Sequence, residues 1–309
     1  MIGRITNQMT AQMTLAGIET AIDRVDTTQQ ELSSGKSINQ PSDNPAGAAL
    51  ALGLNTDLSN LTSYSNNVTD GTGWVQAQSS ALTDITNSVQ RIRELTLEAA
   101  NGTQTTADMQ ASAQEVNQLI DEIKQDANTQ YNGQYVFSGS ATSAQPYASG
   151  SNDTYAGNAG QVTRTIGPNT SLTVNANLSG VLGNGQTVSG QPAGDGLLLN
   201  ALRNIADDMQ SGNSSAVNAD LSSLDTNLNS LDGLSSNVGA VQDRLQMAAS
   251  RIQTLQTSDT QVLSSTQDAD MASTEISFST QQAALQAALQ AGANIVQQSL
   301  MNFLGTGSG

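Results

Sequence analysis

Three pairs of neighbouring carboxylates are the residues whose type and spacing come nearest to catalytic chemistry. They are Asp121–Glu122, Asp207–Asp208, and Asp268 with Asp270. Two carboxylates that face one glycosidic bond can act as the acid and base of a glycosidase. Adjacent carboxylates on a helix point apart, however, and the sequence places no aromatic cleft beside them. Solvated helix faces explain these pairs better, and we therefore assign no catalytic residue.

Cofactor and metal sites have no better support. The chain contains no histidine and no cysteine, which removes the commonest general base, the commonest metal ligand and all thiolate sites. Asn152–Asp153 and Asn184–Gly185 lack the alternating acidic spacing of a calcium loop and are better explained as turns. Gly180–Gly185 lacks the Gly-Lys-Ser/Thr ending of a phosphate loop. We expect no cofactor and no metal.

Composition and charge exclude several classes of partner. The formal net charge of -17 argues against nucleic acid and anionic membranes. No apolar run reaches the ~18 residues of a membrane span. The first residues, Met1 to Asn7, lack the basic region and apolar block of a cleaved signal peptide. If the protein leaves the cell, we expect it to use another route.

Most of the chain has the three-and-four apolar spacing of coiled-coil helices. Residues 4–33 are predicted to be a helix with the seam Leu15, Ile18, Ile22, Val25, Gln29 and Leu32. Residues 46–100 predict one helix of about 80 Å, with a soft point at Gly71 and Gly73. Further helices are predicted at about 106–129, at about 197–211, and along a seam from 221 to 262 that Gly233 and Gly239 are expected to interrupt.

The last segment, Met271–Leu304, predicts an amphipathic helix. Its apolar face includes Phe278, Leu285, Leu289, Ile295, Val296, Leu300 and Phe303, together with Ala288 and Gly292. Glutamines, beginning with Gln281, are assigned to the opposite face. A one-sided helix at the end of a chain needs a cover. The natural cover is the N-terminal helix, or copies of both helices from other subunits.

The middle of the chain has a different composition. Residues 139–196 hold 11 of the 27 glycines and three of the five prolines. Strand-like runs occur at Gln134–Phe137, Gln161–Ile166 and Ser171–Val174. We therefore predict a mainly α fold, in which long coiled-coil helices from the N- and C-terminal segments form a rod and a small β-rich domain is inserted. The predicted domains are 1–45 with 266–309, 46–138 with 197–265, and 139–196.

A built turn separates the first two helices. Gly35 can end the first helix, and Pro41 and Pro45 stiffen the connection. Asp43 or Asn44 can cap the second helix, with Pro45 at its first position.

These residues carry a family resemblance. The Ser33–Lys36 turn and the terminal helices resemble bacterial flagellins, and the run Pro41–Ala49 is closer to the hook-associated protein 3 (hook–filament junction) branch. Flagellins usually lack Pro41 and Pro45 and carry a paired-Asp turn. Further stretches agree, namely Gln90–Leu95 followed by Ala99–Thr103, then Gly133–Gly139 and Gln297–Leu304. The resemblance covers residues 1–140 and 196–304, whereas 140–195 is only loosely alike.

The resemblance implies a non-enzymatic structural protein of the bacterial flagellum. Family members are exported unfolded through the flagellar type III channel with an uncleaved signal, and they assemble as a ring at the hook tip. The termini are typically disordered in the monomer and become a coiled coil on assembly. Implied partners are further copies of the chain, other hook-associated protein and flagellin subunits, and an export chaperone. The implied location is secreted, in the extracellular flagellum at the hook–filament junction.

The assembly contacts are assigned to the apolar residues of both terminal helices. They are Ile5, Met9, Leu15, Ile18, Ile22, Val25, Leu32, Phe278, Leu285, Leu289, Ile295, Val296, Leu300 and Phe303. The motif turn is assigned to Gly35, Pro41, Asp43 and Pro45. Two alternatives stay open, a flagellin that forms the filament itself and, from a different class, a secreted hydrolase or effector. Arg91–Leu95 resembles a stretch that an innate immune receptor reads in flagellins, but we favour helix-surface pairing and subunit contact.

Overall fold

The computed structural model describes residues 7–183 and 195–305. Within these ranges it contains seven helices and four strands. The helices are α1 (Asn7–Ser34), α2 (Pro45–Ala100), α3 (Thr106–Ala127), α4 (Ser179–Leu182), α5 (Leu198–Ser211), α6 (Ser214–Gln267) and α7 (Met271–Gly305). The strands are β1 (Gln130–Tyr131), β2 (Gln134–Tyr135), β3 (Thr163–Gly167) and β4 (Thr170–Thr173). This mainly helical fold with few short strands confirms the predicted class.

The chain divides into two compact units. The terminal unit contains the residues up to Asn60 and those from Gln256 onward, and the central unit is Leu61–Leu255. The division into three domains remains a prediction.

The glycines inside the long helices do not interrupt them. α2 is continuous through Gly71 and Gly73, so the expected soft point is wrong. A methyl group at Gly73 would overlap the Tyr131 ring, which shows that glycine is needed there for close packing. α6 is likewise continuous through Gly233 and Gly239.

The core of the central unit is formed by the apolar stripes of its long helices. Fully buried members include Val75, Ile85, Val89 and Ile92 of α2, Val116 and Ile120 of α3, Leu202 and Ile205 of α5, and Leu224, Leu231 and Leu245 of α6. Within each helix their separations are sums of three- and four-residue steps, which places them on one helix face. The three-and-four apolar spacing that predicted these helices therefore also marks the faces that they bury in the central unit.

Side-chain contacts hold the β-rich segment in the central unit. β1 and β2 form a hairpin in which Gln130 pairs with Tyr135. β3 and β4 form a second hairpin, and Arg164 of β3 reaches Asp70 of α2 at 2.7 Å and lies 5.9 Å from the Trp74 ring centroid. β2 ends at Tyr135, so the predicted strand over 134–137 is half as long in the structure.

Candidate subunit interface

The turn between α1 and α2 is built by its own side chains. Gly35 adopts a φ of 70°, which ends α1 as a left-handed residue. The Asp43 carboxylate accepts hydrogen bonds from the backbone N–H groups of Asn39 at 3.0 Å and Gln40 at 2.8 Å. Asn44 Oδ1 accepts from the N–H of Gly47 at 2.9 Å and thereby caps α2. Asp43 therefore closes the turn, and the helix cap is Asn44.

Ile38 and Gly47 explain a further part of this motif. Ile38 is buried, and its Cδ1 atom would lie only 2.6 Å from a Cβ atom at position 47. A side chain at position 47 would therefore force Ile38 or Asn44 to shift, and glycine leaves the room in which Ile38 folds back onto the first turn of α2. Nothing in the apolar spacing indicated this contact, although Gly47 belongs to the Pro41–Ala49 run that carries the family resemblance.

The turn between α6 and α7 is hydrogen-bonded to the turn between α1 and α2. The N–H of Ser37 donates to the Gln267 carbonyl at 2.7 Å, and the N–H of Ala269 donates to the Gly35 carbonyl at 3.0 Å. Asp270 Oδ1 accepts from the N–H of Ala272 at 3.1 Å at the start of α7. α1 therefore ends, and α7 begins, at one hydrogen-bonded pair of turns.

α1 and α7 pack against each other. The prediction that the N-terminal helix covers the C-terminal helix is confirmed. The Thr28 hydroxyl, which is buried, donates to Gln281 Oε1 at 2.7 Å. A Cβ atom at Gly292 would lie 3.0 Å from Ile18 Cδ1, so these helices approach closely at small residues. Gln281 thus lies in the seam, and its assignment to the opposite face is wrong.

The predicted seam of α1 is only half right. Ile18, Val25 and Leu32 are half-buried, whereas Leu15 is 59% exposed and Ile22 is 41% exposed. The least exposed row runs instead through Thr14, Ile18, Ala21, Val25, Thr28 and Leu32, of which only Thr28 is buried. The difference arises because small residues allow the helix axes to come close, so the larger Leu15 and Ile22 turn outward.

The assembly residues of α7 divide in the same way. Phe278 and Leu285 are half-buried, and Leu289 is 49% exposed. Met9 of α1 is also exposed. Ile5 lies outside the described residues, and so do the side chains of Ile295, Val296, Leu300 and Phe303.

The terminal pair buries little apolar surface. None of the described apolar side chains of α1 or α7 is fully buried. Large apolar side chains are nevertheless exposed on both helices, and these are Met9, Met13, Leu15 and Ile22 on α1 and Met271, Ile276 and Leu289 on α7. Exposed apolar side chains on both helices are typical of surfaces that another protein covers.

Arg91 and Arg93 form ion pairs within the chain. Arg91 contacts Glu94 at 3.1 Å and Glu115 at 2.8 Å, and Arg93 contacts Asp225 at 2.7 Å. The hydrogen bonds that the two guanidinium groups donate to these carboxylates raise the pKa of both Arg91 and Arg93. The expected helix-surface pairing is present and links α2 to α3 and α6.

The described part of the chain holds no group of three or more Asp or Glu side chains placed to bind a metal ion. None of its helices is both long enough and apolar enough to cross a membrane.

Two family models match the chain. The bacterial flagellin N-terminal helical region matches residues 5–142, and the bacterial flagellin C-terminal helical region matches residues 221–304. Together they cover more than half of the sequence, including both terminal helices.

Curated relatives with sequence similarity are flagellins. Flagellin 1 of Proteus mirabilis is 41% identical over 111 residues, and phase 1 flagellin of Salmonella naestved is 39% identical over 110 residues. These matches cover 36% and 35% of this chain, and 30% and 22% of the relatives. The matched segment thus spans less than a third of either relative.

Two solved structures with a similar fold are described as flagellar hook-associated proteins. A putative flagellar hook-associated protein from Vibrio parahaemolyticus has a TM-score of 0.64 at 19% identity, over 73% of this chain and 100% of that one. Flagellar hook associated protein-3 from Legionella pneumophila has a TM-score of 0.58 at 16% identity, over 69% and 97%. At these identities the likeness shows a shared fold.

Proposed function

Because the chain belongs to the bacterial flagellin family, we propose that it is a structural protein of the flagellum that assembles with itself and joins hook to filament. The activity is packing, and no catalysis is part of the proposal. The protein is secreted and works in the extracellular flagellum, at the hook–filament junction.

The incomplete burial of the apolar side chains of α1 and α7 is the observation that supports this proposal most strongly. A helix pair with no fully buried apolar side chain among its described residues gains little free energy from folding alone. The exposed apolar side chains of both helices would become buried only when several copies meet. Folding of the terminal helices is then coupled to assembly.

The residues divide into two roles. Ile18, Val25, Phe278 and Leu285 hold α1 against α7 within one chain. Leu15, Ile22 and Leu289, together with Met9, contact neighbouring copies in a ring. Ile5, Leu32, Ile295, Val296, Leu300 and Phe303 complete these two surfaces. Other hook-associated protein and flagellin subunits adjoin the ring, and an export chaperone covers the terminal helices before assembly.

The junction role is preferred to a filament role for two reasons. Pro41 and Pro45 lie in the turn that distinguishes the junction branch, and Pro45 occupies the first position of α2. The two solved structures described above as similar in fold are also hook-associated proteins. The matching curated relatives are flagellins, so the filament role is the second candidate.

Electron microscopy of a deletion strain separates these candidates. A junction protein predicts hooks without filaments, with filament subunits shed into the medium. A filament protein predicts that the filament protein itself is lost. Copy number per flagellum gives a second reading: about a dozen copies fit a ring, whereas thousands would contradict the junction role.

A paired substitution tests the outward face of the terminal helices. Leu15→Ser with Leu289→Ser should abolish filament attachment, because it removes two exposed apolar side chains that only a neighbouring copy can bury. The matched control, Leu15→Met with Leu289→Met, keeps the apolar area and should keep attachment. Attachment by the serine variant at the wild-type level would contradict the assignment of this face.

A further inference from the structure

A polar groove of about 620 Å³ lies in the central unit beside α3. One side is lined by Gln118, Asp121 and Gln125 of α3, and the other by Gln130, Tyr135 and Gln145. This volume is in the range of small-molecule sites. Joining hook to filament does not require such a groove, so its chemistry calls for a separate explanation.

Hydrogen bonds fix the residues around the groove. The Asn128 side chain donates to the Tyr147 carbonyl at 2.8 Å and accepts from the Tyr147 N–H at 3.0 Å. Gln145 Nε2 donates to the same carbonyl at 2.9 Å, which leaves Gln145 Oε1 available as an acceptor. The N–H of Tyr135 donates to the Thr142 carbonyl at 2.8 Å. The groove is therefore formed in advance of any ligand.

Several polar groups that line the groove are uncommitted. The side chains of Gln118, Asp121, Gln125 and Gln130 make no hydrogen bond or ion pair with another described residue. Each amide offers two N–H donors and a carbonyl acceptor side by side. Such groups match pairs of neighbouring hydroxyls, because each hydroxyl both donates and accepts.

The charges around the groove exclude an anionic ligand. Asp121 and Glu122 both line it. Lys124 is the lining cation, and its ammonium group is engaged by Asp153 Oδ1 at 3.0 Å and by the Asn152 carbonyl at 2.9 Å. A phosphate, a nucleotide or an acidic sugar would meet two carboxylates and no available positive charge.

We propose that this groove binds a neutral saccharide, with the amides of Gln118, Gln125 and Gln130 on the sugar hydroxyls and the Tyr135 ring on a sugar face. Tyr135 is half-buried, and a phenol ring combines an apolar surface with a polar tip. Tyr135 is the one aromatic residue among the described residues that line the groove, which Asp121 and Glu122 also line.

The groove is assigned binding without cleavage. Glycoside hydrolysis needs two carboxyl groups that flank the scissile bond. Both lining carboxylates, Asp121 and Glu122, belong to α3, and the opposite side presents amides and a phenol. No carboxylate pair therefore lies across the groove in the described residues.

Titration with neutral trisaccharides tests this proposal. Chitotriose and maltotriose are added to the ¹⁵N-labelled full chain, and backbone and amide side-chain shifts are followed. We expect at least one of them to shift groove resonances with a dissociation constant on the order of 1 mM. Gln125→Ala and Tyr135→Ala should weaken binding by about tenfold, which corresponds to about 1.4 kcal/mol. Gln114→Ala, on an exposed position of α3 outside the groove, should leave it unchanged.

Two results would overturn the proposal. One is the absence of groove shifts with both trisaccharides at about tenfold the expected dissociation constant. The other is equal binding of 3′-sialyllactose, which would contradict the charge argument. Gln125 is exposed, so its variant tests binding without risk to the fold. The groove variants should retain filament attachment, which keeps this test independent of the proposed junction role.

Discussion

The Thr28 hydroxyl lies 2.7 Å from Gln281 Oε1 and joins two helices across 253 residues of sequence. The contact sets the register of α1 against α7, but it sits in a seam of small and polar residues. Ala21, Ala288 and Gly292 bring the helices close without burying much apolar area. The packing of α1 against α7 therefore has a defined geometry, but it contributes little free energy to folding.

Hydrogen exchange of the monomer should reveal this weakness. At micromolar concentration, the amides of α1 and α7 are expected to exchange much faster than those of α2 and α3, because local opening costs them little free energy. The buried stripe around Ile92 and Ile120 provides the internal reference for slow exchange. Protection of α1 equal to that of α3 would contradict coupled folding and assembly.

The turn motif predicts a sharp difference between two glycines of α2. Gly47→Ala places a methyl group 2.6 Å from Ile38 Cδ1 and 2.8 Å from Asn44 Nδ2, so the side chains of Ile38 and of the capping residue Asn44 must shift. We expect a loss of about 1–3 kcal/mol in this turn. Amide hydrogen exchange should become faster at residues 35–47, and filament attachment should be reduced.

Gly53→Ala is the matched control for this substitution. Gly53 lies in the same helix, and no atom lies within 4 Å of a Cβ added there. Replacement of a helical glycine by alanine at an open position stabilises by about 0.5–1 kcal/mol. Equal damage by both variants would show that the Ile38 contact is unimportant.

The sequence predicts the helices well because their period is long and regular. Pro45 at the start of α2 and Gly35 after α1 mark boundaries that the structure confirms. Spacing could not decide whether Leu15 or Ala21 faces α7, because both lie on one wide apolar arc and the choice depends on how closely the axes approach. The proposed saccharide groove could not be predicted from the sequence either. Tyr135 and Asp121 line the same groove only because the segment after α3 packs back beside that helix.

Two carboxyl groups predict how stability depends on pH. Burial and the charges of Asp84 and Glu122 raise the pKa of Asp126 to about 6. Burial and Asp208 raise the pKa of Asp220 to about 6. Each folded-state pKa lies above the unfolded value, so the stabilisation is full below pH ~4 and is lost as the pH rises through about 6. The free energy of unfolding should therefore fall between these pH values.

Asparagine substitutions test this pH dependence. Asp126→Asn and Asp220→Asn should each stabilise the central unit at pH ~7.5 by about 1 kcal/mol, after allowance for solvent screening of half-buried groups, and should have little effect at pH ~4. Asp108→Asn is the control of opposite sign, because hydrogen bonds from Thr105 lower the pKa of Asp108. Urea unfolding at both pH values measures all three, and pH-independent effects would contradict the argument.

The buried charges around Asp153 predict the largest effect of a single substitution. Asp153 contacts Lys124 Nζ at 3.0 Å and Arg203 Nε at 3.0 Å, and Lys124 and Asp153 are almost completely buried. Asp153→Asn keeps the shape but leaves the Lys124 ammonium without its carboxylate. Such a loss of one buried partner costs about 3–5 kcal/mol.

Thermal unfolding of the Asp153→Asn variant checks this estimate against two controls. Arg91→Ala breaks two exposed ion pairs and should change the unfolding midpoint far less, because water screens those charges. Lys124→Met in the Asp153→Asn background removes the unpaired ammonium and should recover part of the lost stability. A double variant as unstable as the sum of the single variants would show that the two residues act independently. Recovery would instead show that the unpaired buried charge causes the loss.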